Sequence, residues 1–201
     1  MSALSDLYGE IALCQQCEIA KYRTKVVPGE GAEDADILFI GEAPGWHEDQ
    51  QGRPFVGPAG LYLDKLLTSI NLKREQVYIA NVIKCRPTGN RDPLPSEVHN
   101  CHKWLEQQIG LIHPKIIVTL GRYSMAMFFS GKNSIGKIHG TAQQRDNIIY
   151  YAMYHPAAAL HQQNLRQTIE TDMLKIPSLL AQTESIAEAG QQPQQLNMFE
   201  D

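Results

Sequence analysis

Four stretches of the chain are apolar and rich in β-branched residues: "ADILFIG" (35–41), "QVYIANVI" (76–83), "KIIVTLG" (115–121) and "NIIYYAMYH" (147–155). Each is of strand length, with turn-forming or polar residues at its end or directly after it, which predicts four β-strands. Between them the apolar positions recur at helical spacing, in "GLYLDKLLTSI" (60–70), "PSEVHNCHKWLEQQIGLI" (95–112) and "RYSMAMFF" (122–129). A further helix is expected around 164–180, after the fourth strand. Strands alternating with helices read as a parallel sheet covered on both faces. Residues 136–145 form either an extra edge strand or a loop, and the first 30 residues a short cysteine-bearing helix and a loop. From residue 181 the periodicity is lost and the composition turns Gln-rich. This divides the chain into a folded domain over 1–180 and a disordered tail over 181–201.

The pattern also shows where chemistry collects. Polar, unusual sequences come directly after the strands: "GEAPGWHED" after the first, Asn81 to Pro87 at the end of the second, and "HPAAAL" after the fourth. Ligands of open parallel sheets bind outside the carboxyl ends of the strands, so three polar clusters converge on one rim.

Composition adds limits. The 201 residues suit one domain with a full core. The chain has no apolar run near the roughly 20 residues that span a bilayer, and its first residues have no secretory pattern. A reducing cytosol is therefore the expected compartment, with no membrane association. The net charge of −4 is uneven: Glu184, Glu188, Glu200 and Asp201 lie in 181–201, which has no Lys or Arg. Taking those four from the 22 acidic residues leaves 18 in 1–180, against 18 basic ones. A neutral body can still carry a local basic face, so net charge does not exclude nucleic acid.

The cysteine count is four. Cys14 and Cys17 form C-x2-C, which points two thiolates at one centre, and Cys85 and Cys101 bring the set to four sulfur ligands. Zinc and an iron–sulfur cluster both accept four thiolates, and spacing does not separate them. Four buried thiols are the alternative without a metal.

The segments "GEAPGWHEDQQGRPFVGPAG" (41–60), "NVIKCRPTGNRDP" (81–93) and "HPAAAL" (155–160), with the four cysteines in order, resemble the family 4 uracil-DNA glycosylases. These are the iron–sulfur members of the uracil-DNA glycosylase superfamily. The resemblance spans nearly all of residues 10–175. It implies a three-layer α/β/α sandwich on a four-stranded parallel sheet. It also implies a [4Fe–4S] cluster on Cys14, Cys17, Cys85 and Cys101, and a monomeric repair enzyme acting on uracil-containing DNA. Phe55 resembles the ring that stacks on uracil. Asn81 matches the amide that reads its N3–H and O4, and Glu48 the residue near C5 that excludes the thymine methyl. His155 matches the donor to uracil O2, and Glu42 is the candidate to position water or stabilise a cationic sugar. The catalytic Asp usual in the superfamily aligns with Ala43, and Trp46–His47 replaces residues that are often acidic.

For DNA, Leu160 resembles the wedge of a loop that enters the duplex. Arg166, Arg86 and the helix start at residues 57–60 are expected at phosphates, with Lys84, Arg91 and Lys137 on the same face. Two alternatives are a non-turnover uracil-DNA binder and a small iron–sulfur electron carrier. The covalent trapping branch of the superfamily uses a histidine in an inserted KRRIH loop, which "CRPTGNRDPLPSEV" does not contain. Finally, "QLNMF" (195–199) resembles the peptide by which bacterial repair proteins dock on the sliding clamp. Gln195 would be its polar anchor, with Leu196, Met198 and Phe199 its apolar contacts.

Overall fold

The computed structural model describes residues 2–131 and 134–190, with side chains to residue 183. The expected strands form as β2 (Ile37–Gly41), β3 (Tyr78–Asn81), β4 (Ile116–Leu120) and β6 (Ile148–Met153), flanked by β1 (Glu30–Gly31) and β5 (Ala142–Arg145). Among the described residues these make one six-stranded sheet of order β1-β3-β2-β4-β6-β5. The four central strands are parallel, as expected, but both edges are antiparallel, which corrects the four-stranded sheet. The β5 edge arises because Asp146 and Asn147 both adopt positive φ (49° and 65°), the backbone that lets a two-residue turn close a hairpin onto β6. The β1 edge is only two residues long, and such a strand has no readable period. Gly31 makes it possible: a Cβ there would lie 1.9 Å from the Val77 carbonyl oxygen.

The helices are α1 (Ala3–Leu13), α2 (Trp46–Gln51), α3 (Pro58–Ser69), α4 (Pro95–Ile112), α5 (Arg122–Phe128), α6 (Ile135–Ile138), α7 (Pro156–His161), α8 (Gln163–Met173) and α9 (Ile176–Gly190). The single helix expected over 164–180 is thus two. Pro177 has no N–H to give back to the previous turn, so the helix restarts there. α9 runs to Gly190, past the domain end expected at 180. The peptide at 195–199 lies outside the described residues.

Strand side chains alternate between faces, and β2 shows the result. Ile37 and Phe39 join Leu63, Leu66 and Leu67 of α3 and Ile169 and Met173 of α8 in one core. Leu38 and Ile40 join Leu4, Leu7 and Ile11 of α1 and Trp104, Leu105 and Ile112 of α4 in the other. Three α/β/α layers result. Each of these fully buried aliphatic side chains contributes about 1.5–3 kcal/mol relative to exposure, so the sheet is a rigid platform. After β2 the chain moves to β3 on one side, and after β3 it crosses to β4 on the other. The rim beside β2 is therefore a topological switch point, where a crevice opens.

Candidate active site

Beyond the carboxyl ends of β2, β3 and β6 lies a cavity of about 420 Å³, lined by Glu42, Ala43, Gly45, Glu48, Phe55, Asn81, Arg91, His155 and neighbours. All five residues expected at the base and at the bond to be cleaved (Glu42, Glu48, Phe55, Asn81, His155) line this one cavity. The sheet brings them there. Gly41 and Asn81 are register partners on parallel strands, so Glu42 begins its loop beside the Asn81 amide.

Asn81 is 2% exposed, and its Oδ1 has no hydrogen-bond partner among the described residues. An orphaned buried acceptor is costly, which marks it as a group awaiting a donor. Gly41 keeps the space in front of it open. A Cβ on Gly41 would lie 2.4 Å from Asn81 Oδ1 and 2.6 Å from Phe55 Cζ.

Phe55 has φ +50°, which is unusual for a side chain of that size and marks stored strain. Arg74 holds the strained turn by donating to the carbonyls of Phe55 (2.9 Å) and Pro54 (2.7 Å) while pairing with Asp64 at 2.9 Å. Gly60 lets α3 close against it, since a Cβ there would lie 1.8 Å from the Phe55 oxygen. The ring then stacks near His155, with centroids 5.5 Å apart and planes 26° from parallel.

Glu48 acts on the same turn. Its carboxylate accepts from the backbone N–H groups of Gly45 (3.1 Å), Val56 (2.9 Å) and Gly57 (2.8 Å). It therefore caps α2 and pins the start of α3. This corrects one expectation: the Gly57 N–H is already engaged, so it is not a free phosphate donor at the start of α3.

His155 comes after β6 as the N-cap of α7, and its Nδ1 accepts from the Ala157 N–H at 3.1 Å. Burial pulls its pKa down to about 4, against the opposing charge of Glu48. The imidazole is neutral, and with Nδ1 accepting, its proton sits on Nε2. Glu42 shifts the other way: burial, then Asp92, raises its pKa, and Arg122 offsets part of the rise. Asp92 and Arg122 form an ion pair with each other.

The four cysteines, all free thiols, line one small pocket between α1, the loop after β3, and α4. Arg23 donates to Cys85 Sγ at 3.1 Å, and the Lys84 N–H to Cys101 Sγ at 3.3 Å. Burial pushes both thiols up, Cys101 to about 11, with Arg23 and Lys84 opposing. Among the described residues no group of three or more His, Cys, Asp or Glu could hold a single metal ion. Four sulfurs around a pocket, with N–H donors aimed at two of them, fit a larger thiolate-bound group, whose cationic core would offset the cost of ionising buried thiols.

The DNA-facing expectations divide. Leu160 is 48% exposed on α7, one turn beyond cavity-lining Ala157. Arg91 lines the cavity but is bidentate to Glu97 (2.6 and 2.9 Å). Arg86 donates to the Asn90 side chain at 2.6 Å and does not line the cavity. Arg166 pairs with Glu170 at 3.1 Å, lies over the Tyr62 ring, and lines a different cavity. Lys137 is exposed on α6. Lys84 is not on the DNA face at all: it is 1% exposed and donates to the Asn81 carbonyl (2.8 Å) and to Gln108 (2.6 Å). Beyond β3 the whole run Val82–Cys85 is buried, and Lys84 points inward with it, where burial lowers its pKa to about 8.

Sequence reasoning missed Arg74, Asp92 and Arg122. Arg122 carried a signal, since it comes directly after β4 at the same rim; Arg74, in a polar loop, carried none.

Comparison with known proteins agrees with this geometry. The Uracil DNA glycosylase superfamily profile matches residues 28–175. The Type-4 uracil-DNA glycosylase of Sulfurisphaera tokodaii is 47% identical over 188 residues, covering 89% of this chain and 86% of that protein. Those of Archaeoglobus fulgidus (43% identical; 89% and 94% covered) and Saccharolobus solfataricus (43%; 90% and 88%) are similar in the same way. Among the described residues no helix is long and apolar enough to cross a membrane.

Proposed function

Because the chain belongs to the uracil-DNA glycosylase superfamily, we propose that it is a monofunctional uracil-DNA glycosylase. It holds a uracil flipped out of DNA and hydrolyses its N-glycosidic bond, leaving an abasic site. The observation that carries this reading is the buried Asn81 Oδ1, without a hydrogen-bond partner among the described residues, beside Phe55 in a cavity that also receives His155.

Uracil N3–H supplies the donor that Oδ1 lacks, and the Asn81 NH₂ donates to O4. Cytosine presents the reverse pattern and is rejected. Phe55 stacks on the base. Glu48, immobilised by three N–H donors, stands as a fixed wall toward C5, where a thymine methyl would collide. As the C1′–N1 bond breaks, its electron pair moves into the base, and the His155 Nε2–H meets the charge growing on O2. Water adds its oxygen to C1′ and loses a proton. Glu42 is the carboxylate in the cavity that can position this water, take that proton or stabilise the cationic sugar, while Ala43 contributes no acid.

At the DNA, Leu160 serves as the wedge, and Arg166 and Arg86 meet phosphates by exchanging their present carboxylate and amide partners. Cys14, Cys17, Cys85 and Cys101 hold a [4Fe–4S] cluster, which ties the N-terminal segment to the loop carrying Arg86 and Arg91. Anaerobically purified protein should be brown, with about four irons per chain; stoichiometric zinc and no visible absorption would refute it. The protein works as a cytoplasmic monomer, and the peptide at 195–199 docks it on the sliding clamp through Gln195, Leu196, Met198 and Phe199. Truncation after Gln194 should abolish clamp binding and leave oligonucleotide excision intact.

The main test is incubation with an oligonucleotide bearing one uracil, then treatment with alkali. Cleavage only after alkali supports the reading. Nicking without alkali removes the monofunctional part, a covalent adduct on a denaturing gel favours trapping, and intact DNA refutes excision.

A further inference from the structure

Trp46 is one of two tryptophans, and it is 53% exposed while Trp104 is buried. Its position is not that of a stray surface ring. It is the first residue of α2, immediately after Gly45, which lines the cavity. The short helix beneath it is tied down on two sides: Glu48 accepts from Gly45, Val56 and Gly57, and buried Asp49 accepts from the Thr24 N–H at 2.9 Å. Its neighbour His47 packs against the start of α3, with Cδ2 3.2 Å from where a Gly57 Cβ would stand, and meets the Trp46 ring edge-on at 5.0 Å between centroids. An indole is thus presented to solvent on a rigid mount, one residue along the chain from the cavity lining. Leu160, also exposed, is one turn along α7 from cavity-lining Ala157.

We infer that Trp46 is a stacking platform for an unpaired base next to the extruded uracil. The inference rests on the glycosylase reading. A nucleotide held in the cavity carries its strand across the rim on which Trp46 stands. Every base has a π-face, so an exposed ring there recognises the neighbour without regard to sequence. In single-stranded DNA that neighbour is free to stack on the indole; in a duplex it remains paired and stacked on its own strand. Trp46 therefore favours single-stranded substrate, and it acts through binding rather than through the bond-breaking step.

Trp46→Ala and Trp46→Phe, assayed on one uracil oligonucleotide as a single strand and as a duplex, test this. Loss of one base stack predicts about a 10-fold or greater fall in kcat/KM for Trp46→Ala on the single strand, carried by KM, with duplex excision within about two-fold of the parent and Trp46→Phe largely restoring the single-strand value. Independently, the parent's tryptophan fluorescence should be quenched by a single strand carrying a non-cleavable 2′-fluoro-deoxyuridine. In Trp46→Phe, where only buried Trp104 remains, it should not respond. Equal losses on both substrates, a loss in kcat alone, or an unquenched parent would overturn the platform. A parent that releases no uracil from either substrate would instead overturn the glycosylase reading.

Discussion

Replacing Asn81 by Leu separates recognition from stability, because the two should move in opposite directions. In the fold the Asn81 oxygen is buried and has no hydrogen-bond partner among the described residues. Leaving such a group unsatisfied costs about 1–3 kcal/mol, so a side chain of similar shape without the amide should fold at least as stably. For a chain of this length each 1 kcal/mol gained raises Tm by about 2–4 °C. The space is available because Gly41 has no side chain: its missing Cβ would stand 2.4 Å from the amide oxygen. Excision should fall, since two hydrogen bonds to the base are lost. At about 0.5–1.5 kcal/mol each, the loss in kcat/KM is about 5- to 150-fold, with no gain on cytosine. Kinetics on a uracil oligonucleotide and a thermal melt of the same preparations suffice. A melt lowered by more than about 5 °C together with near-parental excision would mean that Asn81 is a structural residue, and the inference from its empty acceptor would fail.

In the proposed mechanism His155→Ala removes a donor aimed at a developing oxyanion, and it should slow excision by about 10²–10³-fold in single-turnover assays. Because its folded pKa is about 4, below the ordinary 6.5, the donor stays neutral as pH falls through 6.5. The fold, however, loses stability from about pH 6.5 down to 4, where only the unfolded chain takes up the proton, and a melt series in the Ala variant should not show this loss. Glu42, with its pKa raised by burial, must ionise to act on water. Activity should therefore climb with pH above the usual carboxylate range, and Glu42→Gln should abolish that climb. The raised pKa stabilises the fold below the unfolded-state value, and this contribution is lost as pH rises through the folded one, opposite in sign to the activity. Gly41→Ala would drive a methyl into Asn81 and Phe55 together, and a displacement approaching 1 Å should cost on the order of 10²-fold in kcat/KM, checked on the same oligonucleotide.

The parallel core and its site-bearing rim were legible because both rest on local pattern. Strands such as "DILFIG" alternate between two cores, and a parallel sheet gathers the loops that leave its strands at one end. Hence Glu42, Asn81 and His155 could be assigned to one rim from order alone. The antiparallel edges were legible only in part: 136–145 read as an edge strand or a loop, and β1 left no signal. β1 is two residues held by one glycine, and β5 depends on positive φ at Asp146 and Asn147. Lys84 shows a different limit. A lysine in a polar run reads as a solvated charge, yet it points inward, where the Asn81 carbonyl and Gln108 satisfy it. Only the three-dimensional partners reveal that.

Those partners join the two halves of the site. The Lys84 backbone N–H meets Cys101 Sγ, while its ammonium holds the carbonyl of Asn81, the residue assigned to read the base. On the other wall, Arg74 holds the strained Phe55 turn and Glu48 pins Val56 and Gly57 just beyond it. The groups proposed to read the base are therefore fixed by buried or paired charges, not by the surface of the cavity itself. An apolar cavity with only a few polar groups can discriminate sharply when those groups cannot rotate to suit a wrong base. By this logic Lys84→Met would disturb recognition without touching substrate. The sequence interval between Asn81 and Cys85 is then the shortest path by which the cysteine pocket supports the geometry of the base-binding amide.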